Sequence, residues 1–152
     1  MNFSDIFLCS TDTVCGIGGP INNESLKKIY FLKDRPLDKK IMIVVGSIDQ
    51  ARQFKQWNNK ADEFAQKYWP GAVSIIVNNQ GFRMPNSLKM QKFLLKNGPM
   101  YLTSANLSGN DPLNLEQAKN VFKEITNVYD FCKPSNKPSD IYNVDTNQWL
   151  YR

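Results

Sequence analysis

Val73-Ser74-Ile75-Ile76-Val77 is the stretch that decides the fold class. It is short, apolar and rich in β-branched residues, and its near-continuous hydrophobicity reads as a strand buried on both faces. Ile41-Met42-Ile43-Val44-Val45 has the same character. Outward from these two, further apolar runs at 6–9, 100–103, 128–131, 141–144 and 149–151 read as strands. Helical patterns fall between them at 23–33, 48–55, 59–68, 87–96 and 115–125. The first places Leu26, Ile29, Tyr30 and Leu32 toward a core, and the last does so with Ala118, Val121, Phe122 and Ile125. Ser47 and Asn114 each stand three residues before a glutamine, a helix-start signal. Trp69-Pro70-Gly71 stops the third helix. Strands alternating with helices predict an α/β architecture with helices on the sheet faces. Loops are expected at 16–22, 34–40, 78–86, 107–114 and 132–140. The last contains Lys133-Pro134-Ser135-Asn136-Lys137-Pro138 and reads as extended and mobile.

A chain of 152 residues is expected to form a single domain spanning 1–152. Nineteen Lys and Arg against fourteen Asp and Glu give a net charge of +5, which favours an anionic ligand or nucleic acid. Histidine is absent, which excludes a Ser-His-Asp triad, a Cys-His pair and a His-ligated zinc. Cys9, Cys15 and Cys132 match no metal-ligand spacing, and Cys9 lies in an apolar run that reads as core. The N-terminus lacks the charge and the apolar length of a signal peptide, and no run is long enough to span a membrane. The expected location is the reducing cytoplasm.

Lys33-Asp34-Arg35-Pro36-Leu37-Asp38-Lys39-Lys40 gathers four cations in eight residues. On a helix Lys33 and Arg35 would diverge, but Pro36 biases Arg35 toward extended backbone, so the two can converge on one anion. Ser10-Thr11-Asp12-Thr13 and Thr103-Ser104-Ala105-Asn106 each follow a predicted strand, and ligands of open α/β sheets collect beyond strand carboxyl ends. Hydroxyls, an amide and cations together suit a phosphate and a carboxylate. Taken singly, each piece has an ordinary reading: a solvated basic loop, strand hydroxyls, a turn rich in Ser, Asn and Gly. Gly16-Ile17-Gly18-Gly19-Pro20 is not a dinucleotide fingerprint, and no Walker A lysine follows it. Asp12 is a candidate for a hydrated magnesium ion, though a cap or turn acceptor is its commoner use.

In combination these segments resemble the YrdC family of threonylcarbamoyl-adenylate synthases. Ser10-Thr11-Asp12-Thr13-Val14-Cys15-Gly16-Ile17-Gly18 is similar to P-T-[DE]-T-V-Y-G-L-G, and 33–39 is similar to K-x-R-P-x-x-K. Trp69-Pro70-Gly71 with Val73-Ser74 resembles W-P-G-x-[LV]-T, and Arg83-Met84-Pro85 resembles R-x-P. Ser104-Ala105-Asn106-Leu107-Ser108-Gly109 matches S-A-N-x-S-G throughout. Pro138-Ser139-Asp140-Ile141 and Leu150-Tyr151-Arg152 resemble P-S-T-[IV] and the closing [IL]-L-R. Ser10, Cys15 and Asp140 depart from the pattern, and Asp140 adds an anion beside the implied site.

The resemblance implies a twisted, mostly parallel (mixed) open sheet flanked by helices, around a central basic cavity. It implies synthesis of threonylcarbamoyl-AMP and pyrophosphate from L-threonine, bicarbonate and ATP, with Mg²⁺ accompanying ATP and no metal held by the protein itself. The product would pass to a threonylcarbamoyl transferase acting on tRNA. Lys33 and Arg35 are implied at the carbamate–phosphate junction. Ser104, Asn106 and Ser139 would fix substrate oxygens, and Arg152 would hold a phosphate. Thr11, Thr13 and Lys39 are implied as further members. Both reactants are anions, so the chemistry needs fixed positive charge and in-line geometry rather than a nucleophile, and the lack of histidine costs it nothing. The positive balance also allows an RNA-binding module with weak or no catalysis, although no RNA-binding motif is readable.

Overall fold

The computed structural model describes residues 1–34, 40–107 and 109–152. The expected site residues Arg35 and Lys39 lie outside the described residues. The strands are β1 (Phe7–Cys9), β2 (Gly16–Pro20), β3 (Met42–Val44), β4 (Val73–Val77), β5 (Gln80–Arg83), β6 (Met100–Ser104), β7 (Asn127–Tyr129), β8 (Asp140–Asn143) and β9 (Gln148–Leu150). They form one open sheet in the order β7-β1-β2-β6-β3-β5-β4-β8-β9.

The sheet is mixed, and the expectation of a mostly parallel one is corrected. Only β1·β7, β3·β5 and β4·β8 are parallel, and the other five neighbouring pairs are antiparallel. Part of the reason is two strands that the sequence reading assigned to loops. β2 carries three glycines and a proline, a poor strand composition. It is a strand because it pairs with both β1 and β6, and its glycines answer to crowding by these neighbours. A Cβ on Gly18 would lie 2.5 Å from Phe7 Cζ and 2.7 Å from the Tyr101 carbonyl oxygen. β5 is reached from β4 through Asn78-Asn79, both at positive φ (48° and 61°), a two-residue hairpin turn. The Asp145 carboxylate accepts from both turn amides, at 2.7 and 2.8 Å.

The helices are α1 (Asn23–Lys33), α2 (Ile48–Arg52), α3 (Asn59–Tyr68), α4 (Leu88–Asn97) and α5 (Leu115–Val121). Both capping signals are realised. Ser47 accepts from the Gln50 amide, and Asn114 and Gln117 exchange hydrogen bonds as a full capping box. α5 stops earlier than its pattern suggests, so Val121 is exposed while Ala118, Phe122 and Ile125 are buried. α1 and α5 cover Ile6, Leu8 and Ile17, whereas α2 and α3 cover Ile43, Ile75 and Phe82. Strand register puts these residues on one face of the sheet. The opposite face, with Phe7, Val44, Met100 and Leu102, is covered by α4 through Met90 and Leu94.

β7 and β8 lie near opposite ends of the sheet, so residues 130–139 cross from one to the other. The loop at 132–140 was expected to be mobile. It is instead tied down, with the Ser135 amide donating to the Asp12 carbonyl at 3.1 Å and the Asn136 amide to the Thr13 carbonyl at 2.8 Å.

Candidate active site

A cavity of about 340 Å³ lies over the α4-covered face of the sheet, a size found in small-molecule clefts. Gly16, Met42, Val44, Ser74, Arg83 and Ser104 contribute from the strands. Their alignment follows from register, since Gly16 pairs with Ser104 and Val44 with Arg83. β2 runs antiparallel to both β1 and β6, so the carboxyl ends of β1 and β6 fall on the same side. That arrangement brings the Thr11–Cys15 turn to Ser104, as the strand-end argument anticipated. Pro138, Ser139 and Arg152 close the other side. The lining holds Lys40, Arg83 and Arg152 and, among the described residues, no carboxylate.

Lys33 ends α1, where Asp34 turns the chain through left-handed backbone at φ 51°. The Lys33 side chain is 1% exposed. Its ammonium donates to Thr103 Oγ1 at 2.9 Å, the Ser104 carbonyl at 2.8 Å and Asn106 Oδ1 at 3.0 Å, and stands 3.4 Å from Ser104 Oγ. Ser104 Oγ in turn donates to Asn106 Oδ1 at 2.7 Å, and the Asn106 amide nitrogen donates to the Asn110 carbonyl. Lys33, Ser104 and Asn106 are therefore one buried network. Only Ser104 of the three lines the cavity, so Lys33 and Asn106 stand behind it.

Thr11 shapes the turn. Its hydroxyl donates to the Val14 carbonyl at 2.6 Å and accepts from the Thr13 amide at 3.1 Å. Thr13 lines the cavity with its hydroxyl 3.1 Å from Arg83 Nη2 as acceptor. Ser139 shares a hydrogen bond with Ser74 at 2.7 Å and accepts from Arg152 Nη2 at 3.1 Å. Arg152 Nε donates to the Ser139 carbonyl at 2.7 Å. Burial lowers the Arg152 guanidinium below its ordinary pKa, and the nearby Asp140 opposes that shift. Burial pushes the Cys15 thiol up, which keeps it protonated and a poor nucleophile.

Arg83 and Ser74 are site residues that the sequence reading did not select. Arg83 Nη1 donates to both Asp12 oxygens, at 2.8 and 3.0 Å, and to the Gly71 carbonyl at 3.1 Å. One side chain thus joins the segments at 12–13, 71 and 83. The available signals were an arginine ending an otherwise uncharged strand and a lone hydroxyl inside the apolar run Val73–Val77, since buried polar groups need partners. Asp12 accepts from Arg83 and from the Asn86 amide at 3.0 Å, so its carboxylate is already engaged. No group of three or more His, Cys, Asp or Glu among the described residues is placed to hold a metal ion.

The family model for Sua5, YciO and YrdC proteins, described as telomere recombination, matches residues 4–149. The chain belongs to the Sua5/YciO/YrdC family. It is 29% identical over 157 residues to a Methanocaldococcus jannaschii protein provisionally named threonylcarbamoyl-AMP synthase, covering 92% of this chain and 74% of that one. It is 27% identical over 124 residues to the threonylcarbamoyl-AMP synthase of Bacillus subtilis, covering 70% of this chain and 36% of that protein. Pyrococcus abyssi Sua5, solved in complex with L-threonine, has the same fold at a TM-score of 0.81 and 22% identity, over 93% of this chain and 47% of that one. The chain therefore spans about three quarters of one of these relatives and half or less of the other two. Among the described residues no helix is long and apolar enough to cross a membrane.

Proposed function

We propose that this Sua5/YciO/YrdC chain is an L-threonylcarbamoyladenylate synthase, working in the cytoplasm on L-threonine, bicarbonate and ATP. The observation that carries the reading is convergence: segments separated by most of the chain, at 11–13, 74, 83, 104, 139 and 152, meet in one cavity. Its lining pairs hydroxyls with cations, which suits phosphate and carboxylate oxygens. The names of the curated relatives support the same reaction.

In this reading the threonine amine and bicarbonate form a carbamate with loss of water. A carbamate oxygen then bonds to the α-phosphorus of ATP as the bond to the β-phosphate's bridging oxygen breaks, and pyrophosphate leaves. The reactants repel each other in water, so the protein's contribution is fixed positive charge and alignment. Lys33 with Arg35 supplies charge at the junction, Lys33 through the Ser104 side of the cavity. Lys39 adds to that charge. Ser104, Ser139 and Thr13 orient oxygens, and Arg152 holds a phosphate. Asn106 and Thr11 serve by bracing Lys33 and the 11–14 turn. Mg²⁺ enters with ATP, held by phosphate oxygens and water, since Asp12 is taken by Arg83. The adenylate passes to a threonylcarbamoyl transferase that modifies tRNA.

The test is pyrophosphate release by the purified chain with Mg-ATP and bicarbonate, with and without L-threonine, and mass spectrometry of the products. Threonine-dependent release with the adenylate present is expected. A folded chain that releases no pyrophosphate under these conditions removes the proposal.

A further inference from the structure

Asp140 stands where the sequence pattern has threonine, and an anion beside a phosphate site is a liability that calls for a compensating role. The β8·β9 ladder ends with Ile141 paired to Leu150, so Arg152 lies beyond the last rung. There the Asp140 carboxylate accepts from the Arg152 backbone amide at 2.9 Å. Asp140 is itself fixed, since its own amide donates to the Ala72 carbonyl at 3.0 Å and it pairs with Val73 across β4. The residue before Asp140 holds the side chain, since Arg152 Nε and Nη2 donate to the Ser139 carbonyl and hydroxyl. Arg152 is thus gripped at its amide by Asp140 and at its guanidinium by Ser139, and both Ser139 and Arg152 line the cavity.

We infer that Asp140 is a positioning residue for nucleotide binding: its carboxylate pins the Arg152 backbone so that the guanidinium faces the phosphates. The inference rests on the synthase reading for the identity of the ligand, but not for the geometry. The role needs an acceptor oxygen rather than a negative charge. A threonine hydroxyl or an asparagine carbonyl can fill it, and alanine cannot.

Two readouts test this, and they fail independently. The first is the affinity of the full chain for Mg-ATP, measured by calorimetry, in Asp140→Ala, Asp140→Asn, Arg152→Ala and the double variant Asp140→Ala/Arg152→Ala. Asp140→Ala is expected to weaken binding about tenfold, the loss of one charge-assisted hydrogen bond, while Asp140→Asn stays within about threefold of the parent. In the double variant, removal of Asp140 is expected to add no more than about twofold to the effect of Arg152→Ala, because the two act as a unit. The second readout is the Arg152 Nε–H signal in nitrogen-15 NMR without nucleotide. It is expected to be protected from exchange in the parent and in Asp140→Asn, and to exchange freely in Asp140→Ala. Equal weakening by Asp140→Ala with and without Arg152, or a protected Nε–H in Asp140→Ala, overturns the inference. If the parent binds no ATP, the synthase reading fails while the NMR readout still decides the role of Asp140.

Discussion

Replacing Arg83 by methionine keeps much of the side-chain volume and removes the guanidinium that joins three segments of the cavity wall. The side chains of Arg83 and Asp12 are 5% and 14% exposed, so the pair counts as buried. Removing one partner of a buried pair costs about 3–5 kcal/mol, because the other charge is stranded. The lower end, about 3 kcal/mol, applies here. Asp12 keeps its bond from the Asn86 amide and has some access to water. Asp12→Asn removes the charge but keeps an acceptor for Arg83, and about 2 kcal/mol is expected, the cost of a weakened bond to a buried cation. With both changes no charge is stranded, so the double variant should cost no more than about 3 kcal/mol, leaving a coupling of about 2 kcal/mol. Urea unfolding of the four proteins measures this cycle. Additive losses, or an Arg83→Met cost under about 1 kcal/mol, would refute the argument that this ion pair fastens the 12–13 turn to Gly71.

Lys33→Met should cost about 2 kcal/mol of stability by removing the charge-assisted bonds to Thr103 Oγ1, the Ser104 carbonyl and Asn106 Oδ1, and should lower threonine-dependent pyrophosphate release by about 10²-fold or more. Near-parental turnover would remove Lys33 from the chemistry. Gly18→Ala should cost about 2 kcal/mol through overpacking, since the Tyr101 carbonyl is backbone and cannot move aside. That loss should appear as a fall in Tm of about 4–8 °C, and an unchanged Tm would show that β2 can shift. Asp62 accepts from Arg52, Trp57 and Gln66, and these bonds, led by Arg52, hold its carboxyl well below the ordinary value of 3.8. A depressed folded-state pKa stabilises above the unfolded value and loses that contribution as pH falls below it. Asp62→Asn should therefore cost about 1 kcal/mol at pH 7, and the gap should narrow as pH falls below 3.8. A gap independent of pH would contradict the assignment.

The sequence reveals those parts of the fold that depend on local chemistry. Helix starts at Ser47 and Asn114 were readable because a cap is a short-range hydrogen bond, and the strand at Val73–Val77 because Ile75 and Val77 enter the core from a short β-branched run. β2 was hidden because its glycines answer to Phe7 and Tyr101, distant in sequence and pressed against it. Thr11, Thr13, Ser104, Ser139 and Arg152 line one cavity, and each sits in a motif segment. The partners of Arg83 were not readable, because Asp12 and Gly71 become its neighbours only after β5 is placed beside β3. The resemblance implies Lys33 at the ligand, and the helix that it ends carries its side chain behind Ser104.

The crossing segment 130–139 ties the two ends of the sheet as a string ties a bow. Seven strand-to-strand steps separate β7 from β8, about 34 Å on a flat sheet. The eleven residue steps from Tyr129 to Asp140 reach about 36–40 Å only when fully drawn out. The string is not fully drawn out, because Asn136 turns it through left-handed backbone at φ 63° and two amides fasten it to the 12–13 turn. With so little slack, the string limits how far the two ends of the sheet can spread, and its far end, at Pro138 and Ser139, stands on the cavity wall. Chain length, at a place that carries almost none of the chemistry, therefore bounds the distance between the two ends of the sheet. One residue more or less between 133 and 137 would retune the spacing between Thr13 and Ser139 without altering any group that touches substrate.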